Sequence, residues 1–108
     1  MGFTAQTRQD AESNILVIID LHVRRESIEE AMDMLLGGLS FIRRFDGNRD
    51  AALHVNQDDP LNLFFVEHWA TREHYERYRA ARAERGDNAR LVAMLTEPLM
   101  VRAFNVLG

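Results

Sequence analysis

The sequence of 108 residues predicts an α+β fold with the element order β-α-β-β-α-β and one additional short helix. Three observations support this prediction. Apolar residues follow a period of two in residues 15–23 and again in residues 61–69, which is typical of half-buried strands. In residues 28–42 they recur instead at helical spacing, as on the buried stripe of an amphipathic helix. A turn-forming segment at residues 58–60 lies directly before the second of these strands and favours a hairpin there.

The first predicted strand, residues 15–23, has one apolar face and one mixed face. The apolar face carries Val17, Ile19, Leu21 and Val23, and the mixed face carries Leu16, Ile18, Asp20 and His22. Ser27 then begins the first helix with Glu30 three residues later. This spacing predicts a capping box, in which each side chain accepts a hydrogen bond from a free backbone N–H. Gly37 and Gly38 weaken the helix late in its course.

The second half of the chain supplies the remaining elements. Strands over residues 50–57 and 61–69 form the hairpin, and Thr71 is the predicted N-cap of a helix over residues 72–85. Gly86 ends that helix, and Asp87 or Asn88 caps a shorter one. Pro98 stops the short helix before a last strand over residues 99–107. The result is a ferredoxin-like, four-stranded antiparallel sheet with both main helices on one face.

This arrangement leaves the other face of the sheet bare. We assign Leu16, Ile18, Phe65 and Trp69 to the bare face, together with one face of the last strand. Such a face is larger and more apolar than monomers usually expose, so the sequence predicts a homodimer through it. Two sheets that face each other would enclose a cavity.

Composition excludes several classes of function. The chain is 46% apolar and 28% charged, as in globular domains, and its formal charge of −4 argues against nucleic-acid partners. It has no cysteine, and its histidines lack metal-ligand spacing, so neither thiolate chemistry nor a metal site is expected. We expect a polar arm over residues 1–14 and a single domain over residues 15–108. The arm lacks an apolar stretch, and no membrane-spanning run follows it, so we expect a cytoplasmic protein without membrane contact.

The segment Phe65-Val66-Glu67-His68-Trp69, followed by a capped helix with Tyr75 and Tyr78, resembles the antibiotic biosynthesis monooxygenase (ABM) domain family. The resemblance implies a dimeric α+β barrel whose sheet faces enclose an apolar pocket. It also implies oxidation of an aromatic quinol or polycyclic phenol with dioxygen alone, with no flavin, haem or metal as cofactor. Trp69 and Tyr75 stand where the family places pocket residues. Phe65 replaces an asparagine of some members, and Arg90 is the match for an arginine of the helical C-terminal region.

Oxygenation without a cofactor needs a base that deprotonates the phenol, a pocket that excludes water from the resulting anion, and a hydrogen-bond donor to the oxygen of that anion. The predicted catalytic residues are Trp69, Tyr75 and His22, and the predicted substrate-binding residues are Phe65, Glu67, Asp20 and Arg90. His22, Asp20 or Glu67 is the candidate base. Trp69 and Tyr75 also have plain packing interpretations, at the dimer interface and in the core.

Structural alternatives stay open for the charged residues and for the whole chain. A bridge from Glu67 to Arg102 on the last strand is an alternative to catalysis. Residues 72–85 are interpreted as a solvated helix face with Arg72–Glu76 and Glu73–Arg77 pairs. The alternative functions are a non-catalytic small-molecule binding or stress-associated protein on the same scaffold and a purely structural interaction domain.

Overall fold

The computed structural model describes residues 14–108, so the predicted polar arm lies outside the described residues except for Asn14. The strands form one antiparallel sheet in the order β2-β3-β1-β4. They are β1 (Ile15–His22), β2 (Asn48–Asn56), β3 (Asp59–Trp69) and β4 (Met100–Asn105). The helices are α1 (Ile28–Gly37), α2 (Leu39–Arg44), α3 (Arg72–Glu84) and α4 (Asp87–Ala93), and a 3-10 turn, Arg25–Ser27, precedes α1. The predicted ferredoxin-like fold is confirmed.

The register of β1 against β3 decides which side chains share a face of the sheet. Ile15 pairs with Trp69 and Val17 pairs with Glu67, so these side chains point the same way, toward the helices. Leu16 pairs with His68 and points to the opposite, open face. The assignment of Phe65 and Trp69 to the bare face together with Leu16 and Ile18 is therefore wrong. Phe65 and Trp69 are both buried under the helices.

The core lies between the sheet and the helical layer in two clusters. One cluster joins α1 and α4 to the central strands through residues that include Leu35, Leu91, Leu21 and Phe65. The other joins α2 and α3 to the same sheet through an aromatic group around Trp69. Among the helices of residues 14–108, none is both long enough and apolar enough to cross a membrane.

The first helix differs from its prediction at both ends. Ser27 lies in the 3-10 turn and makes no side-chain capping hydrogen bond, so the predicted capping box with Glu30 does not form. At the other end the helix stops at Gly37, and α2 begins after Gly38. The two glycines, which lower helix stability, thus divide one predicted helix into two.

The junction between β3 and α3 is built as the sequence predicts. The Thr71 hydroxyl accepts a hydrogen bond from the backbone N–H of His74 at 3.2 Å, which satisfies one free donor of the first helical turn. Gly47, before β2, has a φ of +89°, and its carbonyl accepts a hydrogen bond from the Ala70 N–H at 2.7 Å. A Cβ on Gly47 would lie 2.2 Å from the His74 ring, so only glycine fits there. These contacts set the start of α3 over the sheet.

Candidate functional site

A buried carboxyl and the only tryptophan form a pair at the end of β3. Glu67 is 2% exposed and Trp69 is fully buried, and the indole Nε1–H donates a hydrogen bond of 2.9 Å to Oε1 of Glu67. The two residues meet because side chains two positions apart lie on the same face of a strand. Burial raises the pKa of Glu67 from 4.5 to about 7, although the Trp69 hydrogen bond and the Arg82 charge oppose the shift. This carboxyl therefore changes its charge near neutral pH.

Two tyrosines of α3 cover this pair. The Trp69 ring centroid lies 5.1 Å from that of Tyr78 and 6.0 Å from that of Tyr75. Burial, and then the charge of Glu67, raise the pKa of Tyr75 to about 12, against the opposing charge of Arg79. Burial likewise raises the pKa of Tyr78, while Arg82 opposes that shift. Both phenols are therefore neutral at physiological pH and can donate or pass on a proton.

Arg82 lies one helical turn after Tyr78 and contacts it. Its Nη1 donates a hydrogen bond of 2.7 Å to the Tyr78 hydroxyl. Its Nε is buried and has no hydrogen-bond partner among the described residues. The nearest carboxylate oxygen, Oδ2 of Asp87, lies 3.7 Å from Nε, which is an ion-pair distance but too long for a hydrogen bond. The guanidinium thus has unused donors.

Two cavities lie between the helices and the sheet, and both reach this cation. The larger, of about 720 Å³, is bordered by α1, Gly37, Gly38, α3 and the start of α4, and the smaller, of about 220 Å³, extends toward β1 and β4. Both are lined by Leu35, Phe65, Tyr78 and Arg82. The α1 side of the larger cavity carries exposed acids, and the opposite side carries Arg82, Arg85 and Arg90. An ion pair of 3.8 Å between Arg90 and Glu30 joins the two sides.

Five of the seven predicted site residues lie on this side of the sheet. Phe65 lines both cavities, Arg90 lines the larger one, and Tyr75 lines the smaller one. Glu67 and Trp69 lie next to them, buried under α3. The roles of these residues stay predictions, but their positions are close to one another.

Asp20 and His22 are separated from that group by the sheet. Both lie on the open face, where His22 Nε2 is 3.7 Å from Oδ1 of Asp20. The same oxygen accepts a hydrogen bond of 2.6 Å from Nδ2 of Asn62. Within one protomer, therefore, the sheet separates His22 from Trp69 and Tyr75.

Arg82 and Tyr78 line the cavities but are not among the site residues that the sequence predicts, although Tyr78 belongs to the segment that carries the family resemblance. The solvated helix face was expected to include Arg82, and that is wrong for this residue, whose side chain is 17% exposed. The Arg72–Glu76 and Glu73–Arg77 pairs of that face do form, each at 2.8 Å. The available signal is the spacing of four residues between Tyr78 and Arg82, which places them on one face of a helix.

Two other expectations concern partners of charged residues. The bridge from Glu67 to Arg102 is wrong, because Arg102 pairs with Ile18 on the open face while Glu67 points to the helices. Within residues 14–108, no group of three or more acidic or histidine side chains is placed to hold a metal ion.

The fold and this site define a small α+β protein with a ligand-sized cavity on the helix side of its sheet. The family model for antibiotic biosynthesis monooxygenase matches residues 14–85, and the chain therefore belongs to the antibiotic biosynthesis monooxygenase family. A search of curated proteins finds no significant match. The resemblance noted in the sequence is thus confirmed at the level of the family.

Solved structures with the same fold support the assignment. Rv0793 from Mycobacterium tuberculosis has a TM-score of 0.82 at 22% identity, over 89% of this chain and 97% of its own. A conserved protein from Methanosarcina mazei has a TM-score of 0.81 at 14% identity, over 91% and 97%. SnoaB, a cofactor-independent oxygenase from Streptomyces nogalater, has a TM-score of 0.76 at 15% identity, over 87% and 93%. At these identities the likeness concerns the fold.

Proposed function

We propose that the protein is a cofactor-independent monooxygenase that oxidises an aromatic quinol or polycyclic phenol with dioxygen in the helix-side cavities. The observation that carries this proposal is the combination of aromatic walls, a cation with unused donors, and a nearby carboxyl with a pKa of about 7. Membership of the family and the likeness to a protein described as a cofactor-independent oxygenase support it.

The reaction balances without another reductant. Removal of a proton from the phenol gives an anion that can pass an electron to dioxygen, and the resulting radicals combine at a ring carbon. One oxygen atom then becomes the new carbonyl oxygen of the product. The other leaves as water with two hydrogens of the substrate, so the substrate supplies all four electrons that dioxygen accepts. Displacement of water from the cavity by the bound substrate would protect the anion from protonation.

On the helix side, Glu67 is the proposed base and Tyr75 the proposed proton relay. Glu67 has the pKa that a general base needs near neutral pH, and Tyr75 lines a cavity and has its pKa raised by burial and by the charge of Glu67. Trp69 holds the carboxyl through its indole hydrogen bond. Phe65 and Arg90 are proposed to contact the substrate. Asp20 and His22 would take part only with a ligand on the open face.

The test is oxygen uptake by purified, metal-free protein with anthrones, naphthohydroquinones and catechols. We expect uptake above the buffer rate in the wild type and a loss of at least about tenfold in Glu67→Gln and Tyr75→Phe, as is usual when a proton-transfer group is removed. Glu73→Gln, which removes an exposed carboxyl of α3, is the matched control and should keep the wild-type rate. Uptake at the buffer rate with every substrate would contradict the proposal.

A binding protein without catalysis is the second candidate, and one observation favours it. Trp69 is fully buried and its N–H is already bonded to Glu67, so in this arrangement the indole cannot contact a ligand. This candidate predicts that quinols bind in the cavity without oxygen consumption. Calorimetric titration under anaerobic and aerobic conditions separates the two functions.

We also propose a homodimer through the open face of the sheet. That face carries partly buried or exposed apolar side chains on three strands, including Ile18, Val66, Met100 and Phe104. Sedimentation should give a dimer for the wild type and a monomer for Val66→Glu, because position 66 pairs with Ile18 and Ala52 and the new charge would have to be buried without a cross-strand partner. A dimer that persists in Val66→Glu would contradict this interface.

A further inference from the structure

The guanidinium of Arg82 is short of acceptors. It carries five N–H donors, and one hydrogen bond of this group, to the Tyr78 hydroxyl, is found among the described residues. The buried Nε has no acceptor among the described residues, and a buried donor without a partner is unfavourable. A partly buried guanidinium with unused N–H donors is suited to bind an acceptor group of a ligand.

The position of Arg82 allows a ligand to contact the guanidinium. Its side chain lines both cavities, so N–H donors of its terminal nitrogens are available to a ligand there. Tyr78 fixes one end of the guanidinium through a bond of 2.7 Å. Asp87 lies 3.3 Å from Nε of Arg85 and 3.7 Å from Nε of Arg82, so one carboxylate is shared between two cations. The other acids that line the larger cavity lie on its α1 side, across from these two cations.

The walls around this cation select the shape of the ligand. Phe41, Phe65 and Tyr78 supply aromatic surface in the larger cavity, and Leu35 and Met34 supply aliphatic surface. The exposed acids Glu29, Glu30 and Asp33 border the same cavity from α1 and disfavour a second negative charge at that end.

We infer that Arg82, oriented by Tyr78, binds a single oxyanion, either a carboxylate or an ionised phenol, on a flat aromatic ligand that lies against Phe65. This inference deepens the proposed function, because it concerns the ligand of the same cavities. It makes Arg82 a binding residue and Tyr78 a positioning residue. It also makes a monoanionic aromatic compound the preferred class of ligand.

Binding without turnover tests the inference. The probes are 2-naphthoate and its neutral, nearly isosteric amide, 2-naphthamide, titrated calorimetrically at pH 7.5. We expect the wild type to bind the carboxylate about tenfold more tightly than the amide, equivalent to ~1.4 kcal/mol. Arg82→Met, which keeps the length of the side chain but removes its charge, should abolish this preference. Arg77→Met removes an exposed arginine of the same helix and should retain it.

Two further measurements complete the test. Arg82→Lys keeps the charge but not the planar fork and should retain part of the preference, which guards against a folding defect in Arg82→Met. The absorbance of bound 2-naphthol at pH 7.5 distinguishes the two oxyanions. A naphtholate spectrum indicates that Arg82 binds an ionised phenol, and a neutral spectrum together with tight naphthoate binding indicates a carboxylate ligand.

The inference fails if neither naphthoate nor naphthol binds, if 2-naphthamide binds as tightly as 2-naphthoate, or if Arg77→Met and Arg82→Met lose the preference equally. Its failure differs from that of the proposed function. Quinol oxidation without a carboxylate preference would overturn the Arg82 site alone. Arg82-dependent naphthoate binding without any quinol oxidation would instead overturn the monooxygenase.

Discussion

Replacing Glu67 by glutamine should reduce the pH dependence of stability. The carboxyl has a pKa of 4.5 when unfolded and about 7 in the buried pair with Trp69. Below pH 4.5 it is protonated in both states and has no effect. Between pH 4.5 and 7 the folded protein binds more protons than the unfolded chain, so stability falls as the pH rises. Above pH 7 the carboxyl is ionised in both states, and its effect on stability no longer changes with pH.

The size of this effect follows from the two pKa values. Between pH 5 and pH 8 the free energy of unfolding of the wild type should fall by about 2.5 kcal/mol more than that of Glu67→Gln. Glutamine has no charge to bury, and its carbonyl oxygen can still accept the Trp69 N–H. Urea unfolding at fixed protein concentration and at pH 5, 6, 7 and 8 measures the difference.

Subtracting the free energy of unfolding of Glu67→Gln from that of the wild type at each pH cancels the contribution of the other titrating groups. Glu73→Gln, at an exposed position, serves as the control and should follow the wild-type pH profile within about 0.5 kcal/mol. Parallel profiles for the wild type and Glu67→Gln would refute the reasoning, because they would mean that burial does not shift this carboxyl.

Three other predictions concern Trp69, the N-cap of α3, and the glycines Gly47 and Gly37. The fluorescence of Trp69, the single tryptophan, should titrate with a midpoint near pH 7, and Glu67→Gln should abolish this titration. In urea unfolding, Thr71→Ala should lower stability by about 1 kcal/mol through loss of the helix cap, whereas Thr71→Ser should not. Gly47→Ala should lower stability by more than about 2 kcal/mol, since alanine would face both a positive φ and a steric clash at that position. Gly37→Ala, whose Cβ meets open space, should leave stability unchanged or raise it.

Local chemistry explains what the sequence predicts well. The period of two places Glu67 and Trp69 on one face of a strand, and β3 ends at Trp69 as expected. Thr71 caps α3 because its hydroxyl needs only the backbone of the next turn. Gly37 and Gly38 were recognised as weak points, although the sequence did not show that the helix would stop there.

Contacts between distant segments explain what the sequence does not predict. The face that β1 shares with β3 depends on the pairing of Ile15 with Trp69, and a shift of one residue would exchange the two faces. The period of each strand is the same in both registers, so Leu16 and Ile18 were grouped with the wrong partners. Within the protomer, the two cavities consequently lie on the helix side of the sheet.

The burial of Arg82 depends on tertiary structure in the same way. In the sequence it belongs to a run of charges, and the usual place for such a run is a solvated surface. Its partial burial follows from the way α3 lies over the sheet, with Tyr78 turned toward Trp69. The spacing of four residues places Tyr78 and Arg82 on one face of α3, but it does not show that this face is turned toward the sheet.

If quinol oxidation takes place in the helix-side cavity, as proposed, a side chain that fills that cavity should prevent it. Gly37 borders the larger cavity, and a Cβ there meets no neighbouring atom within 4 Å, so Gly37→Trp introduces a large side chain at the cavity border without a backbone clash. Ser40→Trp adds the same group at an exposed position of α2 away from the cavity lining. We expect oxygen uptake with the best quinol to fall at least about tenfold in Gly37→Trp and to be unchanged in Ser40→Trp. Full activity in Gly37→Trp would contradict it.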